Sequence, residues 1–217
     1  MSVLRYSLLS DGSSDRALLH VLRYLLLANG VVLPIHSQWV DLRQFPKPPG
    51  RLPDRIRLAL DWFPCDLLFV HRDAESASLA ERRREIEMAF ATVSVDASTR
   101  PPAICVVPVR MTEAWFLFSE SALREAAGNP NGRLPLALPF LEQVESIPDP
   151  KRLLHEALRE ASGLQRRRRR AFSVDAALHR LAEIVDDYGP LRALPAFRSL
   201  EADLRDLIVR NAWNEFA

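Results

Sequence analysis

Four consecutive apolar residues, Leu67-Leu68-Phe69-Val70, end abruptly in His71-Arg72-Asp73-Ala74-Glu75. A run of this kind reads as a short strand covered on both faces, the environment of a parallel sheet held between helices. In open sheets of that type, ligands and chemistry collect beyond the carboxyl ends of the strands. The polar residues that follow Val70 include two acids spaced Asp-x-Glu, and they stand where a site is expected. The rest of the chain is read for partners to Asp73 and Glu75.

Residues 3–9 read as a first strand, followed by the small polar turn Ser10-Asp11-Gly12-Ser13-Ser14-Asp15. Leu18, Leu19, Leu22, Leu25 and Leu26 then recur at the spacing of one helical face. Ser13 or Ser14 is the expected N-cap, Asp15 suits the positive end of the helix dipole, and Asn29-Gly30 ends the helix. Residues 36–42, with Trp39 and Val40 at the middle, form a weaker strand candidate. A loop crowded with Pro and Gly follows over residues 44–53. An amphipathic helix over 54–62 leads into the central strand at 66–70. A helix with a charged face from Glu81 to Glu85 extends to residue 93, and Pro101-Pro102 breaks the chain before a fourth strand at 103–109. Met111-Thr112-Glu113-Ala114-Trp115-Phe116-Leu117 opens another helix.

This order of strands and helices predicts an α/β fold: a mostly parallel, Rossmann-like four-stranded sheet flanked by helices through right-handed crossovers. The acid-bearing turns after the first, third and fourth strands then share one edge of the sheet. From Gly128 the pattern changes. Asn129-Pro130-Asn131-Gly132 and Pro135, Pro139, Pro148 and Pro150 mark an irregular connection. Helices are expected over 150–162, 174–188 and 195–213, with no further strand. The expected organisation is an α/β core over residues 1–127 and a helical extension over 128–217, packed on the core as one structural unit. No repeat occurs at a solenoid period.

Global charge excludes little: 29 basic and 28 acidic residues leave a formal net charge of +1. All the basic residues but Lys47 and Lys151 are arginine, which suits bidentate phosphate contacts and is equally what a GC-rich genome produces. The local basic signal is Arg166-Arg167-Arg168-Arg169-Arg170. Adjacent arginines repel and favour an anionic partner, with phosphate backbone the obvious one; the alternative is a solvated loop or helix end. Cys65 and Cys105 lack the clustering of a metal motif and are expected as buried thiols in a reducing compartment. Residues 1–9 carry Arg5 within a short apolar run and no small-residue cleavage site, and no apolar window is long enough for a membrane span. A cytoplasmic location without membrane contact is expected. No Gly-x-x-x-x-Gly-Lys-Ser/Thr sequence occurs, which excludes a P-loop enzyme. No strand ends in the Lys that a phospho-acceptor receiver needs.

Asp11, Asp15, Asp73, Glu75 and Glu113 are the carboxylates of the proposed edge. Acids crowded into a cleft raise one another's pKa, and a divalent cation offsets that repulsion. Mg²⁺ takes carboxylate oxygens while keeping waters for substrate phosphates, and it can position a phosphodiester. The plainer alternatives are that Asp11 and Asp15 cap the first helix and that Asp73 is a loop acid. His71 reads either as a satisfied core histidine or as a metal ligand or proton shuttle. Arg72 reads either as a phosphate contact or as the partner of a nearby acid. Trp115-Phe116-Leu117-Phe118 reads as core packing.

Leu8-Leu9-Ser10-Asp11-Gly12-Ser13-Ser14-Asp15 resembles the opening motif of Toprim domains: an apolar strand, an acid, Gly, and a second acid opening a helix. Phe69-Val70-His71-Arg72-Asp73-Ala74-Glu75 resembles the second Toprim motif, a strand ending in Asp-x-Asp. The segment from Val107 to Leu117, with Asp149-Pro150-Lys151-Arg152-Leu153-Leu154 and Leu194-Pro195-Ala196-Phe197, resembles a small stand-alone bacterial Toprim-like family of unassigned function. That family is related to the Toprim part of OLD-family nucleases, which are associated with ATPases in phage defence. The resemblance implies a Mg²⁺-dependent nuclease, with Mn²⁺ as a substitute, acting on DNA or RNA and accompanied by an ATPase partner. It implies Asp11 as general acid/base and Asp73 and Glu75 as catalytic metal ligands, supported by Asp15; Glu113 joins the metal set from its place on the edge. Arg72 and Arg166 to Arg170 are the nucleic-acid contacts. Asp11 stands where Toprim domains usually have Glu, one methylene longer, and Asp73-x-Glu75 replaces Asp-x-Asp. These departures keep a second expectation open: a catalytically degenerate module that binds nucleic acid or a partner protein.

Overall fold

The structure, a computed structural model, describes residues 3–93 and 100–215. Four strands form one parallel sheet: β1 (Leu4–Leu9), β2 (Ile35–Trp39), β3 (Leu67–His71) and β4 (Ala103–Val106), in the spatial order β2-β1-β3-β4. The helices between them are α1 (Leu18–Ala28), α2 (Leu52–Trp62) and α3 (Leu79–Thr92). After β4 come α4 (Glu120–Ala126), α5 (Pro150–Ala161), the short α6 (Arg166–Arg170), α7 (Val174–Ile184) and α8 (Pro195–Arg210). This is the α/β class expected, with helices on both faces of the sheet.

Every residue of β3 is buried, and the two-residue period of a strand divides them between two layers. Leu67 and Phe69 face the larger core with Tyr6, Leu8 and the apolar face of α1. Leu68 and Val70 face the smaller core with Ile56 of α2 and Ile86 of α3. Tyr6 packs edge-to-face on Phe69 at 5.3 Å between centroids, and its hydroxyl donates to the Leu19 carbonyl at 2.7 Å. One apolar cluster runs from Leu4, Tyr6 and Phe69 through Leu154, Leu178, Phe197 and Leu204, so the sheet and the C-terminal helices share a single core.

Local details depart from the sequence reading. Strand β4 ends at Val106 rather than 109, because Pro108 has no N–H for the ladder and Arg110 takes a positive φ of 66°. The segment beyond still runs beside the end of β3: the N–H groups of Arg72, Ala74 and Glu75 donate to the carbonyls of Val106, Pro108 and Arg110 at 3.2, 3.0 and 2.9 Å. The helix expected from Met111 is a 3-10 turn (Thr112–Phe116), and α4 starts only after Ser119, whose hydroxyl caps Ala122. Ala114, Trp115, Phe116 and Leu117 are all buried, more circumference than one α-helical face offers. Likewise Ser14–Ala17 is a 3-10 turn ahead of α1, and neither Ser13 nor Ala17 caps with its side chain. The N–H of Gly12 instead donates to Asp15 Oδ2 at 2.9 Å. Cys65 and Cys105 are free and only half-buried; burial raises both thiols, Cys105 to about 12.

Glu201 of α8 ties the C-terminal helices to α1. Its carboxylate accepts from Arg192 Nε and Nη2 at 2.8 and 2.7 Å and from Asn29 Nδ2 at 3.1 Å. Its hydrogen bonds with Arg192 hold its pKa below the usual carboxylate range. A depressed carboxylate contributes stability that is complete above its unfolded pKa of roughly 4.3 and lost as pH falls through the folded value. Glu201→Gln is therefore expected to be less stable than the parent at neutral pH and to lose less further stability on acidification. Urea denaturation at a series of pH values measures this, and parallel acid limbs for the two proteins would contradict it.

Candidate active site

The chain passes from β1 through α1 to β2 on one side, then returns past β1 to β3 and on to β4. The strand order thus reverses between β1 and β3, the place where open α/β sheets form a crevice beyond their carboxyl ends. Register pairs Leu9 with Val70, so the Ser10–Asp15 turn and the His71–Glu75 turn leave the sheet side by side.

His71 is fully buried between two carboxylates. Its Nε2 lies 3.2 Å from Asp73 Oδ1 and 2.9 Å from Thr112 Oγ1, and its Nδ1 lies 3.5 Å from Asp15 Oδ2 with no closer partner. Burial alone would favour the neutral ring, but the hydrogen bond to Asp73 and the charges of Asp15, Asp73 and Asp11 outweigh it and raise the imidazole pKa. Burial also pushes the Asp15 carboxyl up, while the charge of His71 and the Gly12 N–H pull it back. Asp73 is oriented from the other side by Thr112, whose backbone N–H and hydroxyl lie 2.8 and 3.1 Å from Oδ1. With His71 protonated, its Nε2–H faces both Asp73 Oδ1 and Thr112 Oγ1, and the Thr112 hydroxyl donates to Asp73.

The other acids are held by internal cations. Asp11 meets Arg55 through Oδ1 and Arg72 Nε, 2.9 Å away, through Oδ2. Arg72 continues to Glu85 at 2.9 Å, so of the two sequence readings of Arg72 the structure displays pairing with acids. Glu113 is buried, with Lys151 Nζ 3.3 Å from its Oε1. The pKa of Lys151 is raised by Glu113 first and further by Asp15 and Asp73, which puts this ammonium within the field of the same crevice. Glu75 does not join. It takes a positive φ of 53°, its side chain is 68% exposed, and its nearest cation is Arg82 at 3.9 Å. Arg166 to Arg170 form an exposed single-turn helix with no ion pair to a described residue.

A divalent metal is therefore tested against Asp15 and Asp73 rather than the larger set. Among the described residues, Asp15 takes its contacts through Oδ2 and Asp73 through Oδ1, which leaves one oxygen of each carboxylate uncommitted. Mg²⁺ is commonly held by one or two carboxylates with water and phosphate oxygens completing the shell, so the donor chemistry of this hard-oxygen pair is of the kind it takes. The described residues contain no group of three or more His, Cys, Asp or Glu arranged to hold a metal. Of the other acids expected in such a set, Glu75 faces outward and Glu113 is paired with Lys151.

The sequence pattern does not mark Thr112, Lys151 or Arg55 as site residues. Thr112 and Lys151 lie inside segments that carry the family resemblance, and Lys151 is one of two lysines in an arginine-rich chain. Nothing local distinguishes Arg55. Comparison with protein-family models found no match, and comparison with curated proteins and with solved structures found none at a significant level.

Thr112→Val keeps the side-chain shape while removing the hydroxyl beside Asp73 and His71. It is expected to destabilise the protein by roughly 1–3 kcal/mol, the range for leaving a buried polar group short of a partner, with Thr112→Ser close to the parent. Equilibrium denaturation distinguishes the two, and equal stability of the Val and Ser variants would contradict the network.

Proposed function

We propose that the chain is a Toprim-like, divalent-metal-dependent enzyme that cleaves phosphodiester bonds in nucleic acid. The observation that carries this reading is the meeting of Asp15, His71 and Asp73 at the switch-point crevice between β1 and β3, each carboxylate keeping one oxygen uncommitted. Asp15 and Asp73 would hold Mg²⁺ or Mn²⁺, which when bound positions a phosphate and offsets the charge that develops on its oxygens. Thr112 and His71 keep the Asp73 carboxylate in place. Arg55 and Arg72 offer guanidinium groups that could donate to a phosphate in place of the Asp11 carboxylate they now hold. Release of Asp11 by such an exchange would leave it available to move a proton, the role the Toprim resemblance assigns to it.

The motif resemblance extends the proposal to an effector that works with an ATPase partner in bacterial defence against phage. Metal-dependent nicking of plasmid DNA or cleavage of RNA, retained by the parent and abolished in Asp73→Ala and Asp15→Asn, is the expected result. Mn²⁺ titration followed by electron paramagnetic resonance reports binding independently of turnover. A protein that binds neither Mg²⁺ nor Mn²⁺ would refute the reading.

One observation favours a second reading, a degenerate module that binds nucleic acid or a partner protein without chemistry. Asp11 and Glu113 are already neutralised by Arg55, Arg72 and Lys151, and Glu75 faces solvent. Nucleic-acid binding that persists unchanged in Asp11→Asn and Asp73→Asn, with no cleavage by the parent, would select it.

If the chain binds nucleic acid, under either reading the exposed α6 arginines are the groups to contact its phosphate backbone. Replacing all of Arg166 to Arg170 by Ala is expected to weaken binding across sequences and to reduce the slope of log K against log salt by about 1 for each phosphate no longer neutralised. An unchanged slope would remove α6 from the interface.

A further inference from the structure

Helices α1 and α7 pack on the same face of the sheet and leave between them, against Ser37 of β2, a cleft of about 500 Å³. Arg16, His20 and Arg23 line it from the first 3-10 turn and α1, and His179 and Glu183 line it from α7. The spacing explains the convergence: residues three or four apart on a helix share a face, so 16, 20 and 23 look toward 179 and 183. Arg23 donates only a long bond to the Ile35 carbonyl, at 3.4 Å. The side chains of Arg16, His20, His179 and Glu183 have no hydrogen-bond or ion-pair partner among the described residues. Five polar side chains thus converge on one cleft, Arg16, Arg23 and Glu183 exposed and His20 and His179 half-buried, so their polar groups are open to a ligand.

The chemistry of the lining selects the ligand. Two guanidinium groups against a single carboxylate favour an anion, and their planar forks suit phosphate. Burial lowers the pKa of His20 and so favours its neutral ring, which offers one donor and one acceptor. Glu183 only accepts, so the ligand must also bring a donor such as a sugar hydroxyl or a base amine. Past His20, Arg23 and Glu183 the cleft continues into a second one of about 540 Å³, where Leu27, Ala182 and Val185 add apolar wall and Asp186 adds a second carboxylate that, like Glu183, accepts from a donor on the ligand. A phosphate joined to a partly apolar, donor-bearing body matches this sequence of surfaces.

We propose that the α1–α7 groove is a nucleotide-binding site. Arg16 and Arg23 take the phosphate, the imidazoles of His20 and His179 hydrogen-bond to it, and Glu183 accepts from the sugar or base lying toward Leu27 and Val185. The site goes beyond the proposed phosphodiester chemistry and does not require it: Arg16 follows Asp15 in the chain, but among the described residues no side-chain hydrogen bond or ion pair joins the groove to Asp15, His71 or Asp73. The nucleotide is either a free monophosphate or a unit of a strand.

Adenosine monophosphate titrated into the 217-residue chain tests it, read by the imidazole carbon-bound proton resonances of His20 and His179. Saturable shifts of both are expected, and Arg16→Ala/Arg23→Ala should weaken binding by about tenfold or more, the loss expected of charge-assisted contacts. Asp73→Asn should bind as the parent does, which separates failure here from failure of the catalytic reading. Absence of shifts, or equal affinity in the double variant, would overturn the proposal. Equal affinity for inorganic phosphate and the nucleotide would overturn the part assigned to Glu183 and the apolar wall. A short single-stranded oligonucleotide without terminal phosphate, competing better than the monophosphate, supports the site with a strand as its source; the reverse order supports it with a free nucleotide.

Discussion

Strand β3 is covered on both faces, and that single constraint organises the site. Water has no access to the strand, so the polar residues that begin at His71 must find their partners in neighbouring turns. Asp15 arrives from the turn after β1, Thr112 from the turn after β4, and Asp73 from the same turn as His71. The result is a buried imidazole between carboxylates in a low-dielectric crevice. Such a group is strongly destabilising unless its charge is answered, and here the imidazolium faces the carboxylates of Asp15 and Asp73. Perturbed ionisable groups placed together in a crevice are also where function concentrates, which is why the functional reading is centred on these residues.

The acids of the sheet edge fall into two sets for an electrostatic reason. Asp15 and Asp73 share one titratable ring and keep oxygens uncommitted. Asp11 and Glu113 face permanent cations, two guanidinium groups for one and an ammonium for the other. A carboxylate beside a permanent cation is already compensated and has less to gain from a metal than one beside an imidazole that can lose its proton. This division relates the two functional readings to one another: the first depends on the Asp15–Asp73 pair, the second on the permanence of the Arg55 and Arg72 contacts.

Much of the fold was legible in the pattern of residues because the pattern reports burial. The unbroken apolar run of β3 marks a strand covered twice, and the α1 leucines mark a helix covered once. Where local rules failed, longer-range packing had overridden them. The segment from Thr112 to Leu117 has the composition of a helix but must bury six successive side chains, and it forms a 3-10 turn instead. Ser13 and Ser14 look like helix caps, yet Asp15 is drawn inward by His71 and takes the Gly12 N–H itself.

Residue order alone determined that Asp11, Asp15, Asp73 and Glu113 would follow strands and so collect at one edge of a parallel sheet. It could not say which of them would point into the crevice. Glu75 lies two residues from Asp73 and turns outward because its backbone φ is positive and its N–H is tied to Arg110. Asp11 faces Arg55, a residue 44 positions away that only the placement of α2 beside the β1 turn brings near. Side-chain direction depends on backbone torsion, and charge compensation depends on contacts distant in sequence. Tertiary structure therefore decided which acids remain available and which are already paired.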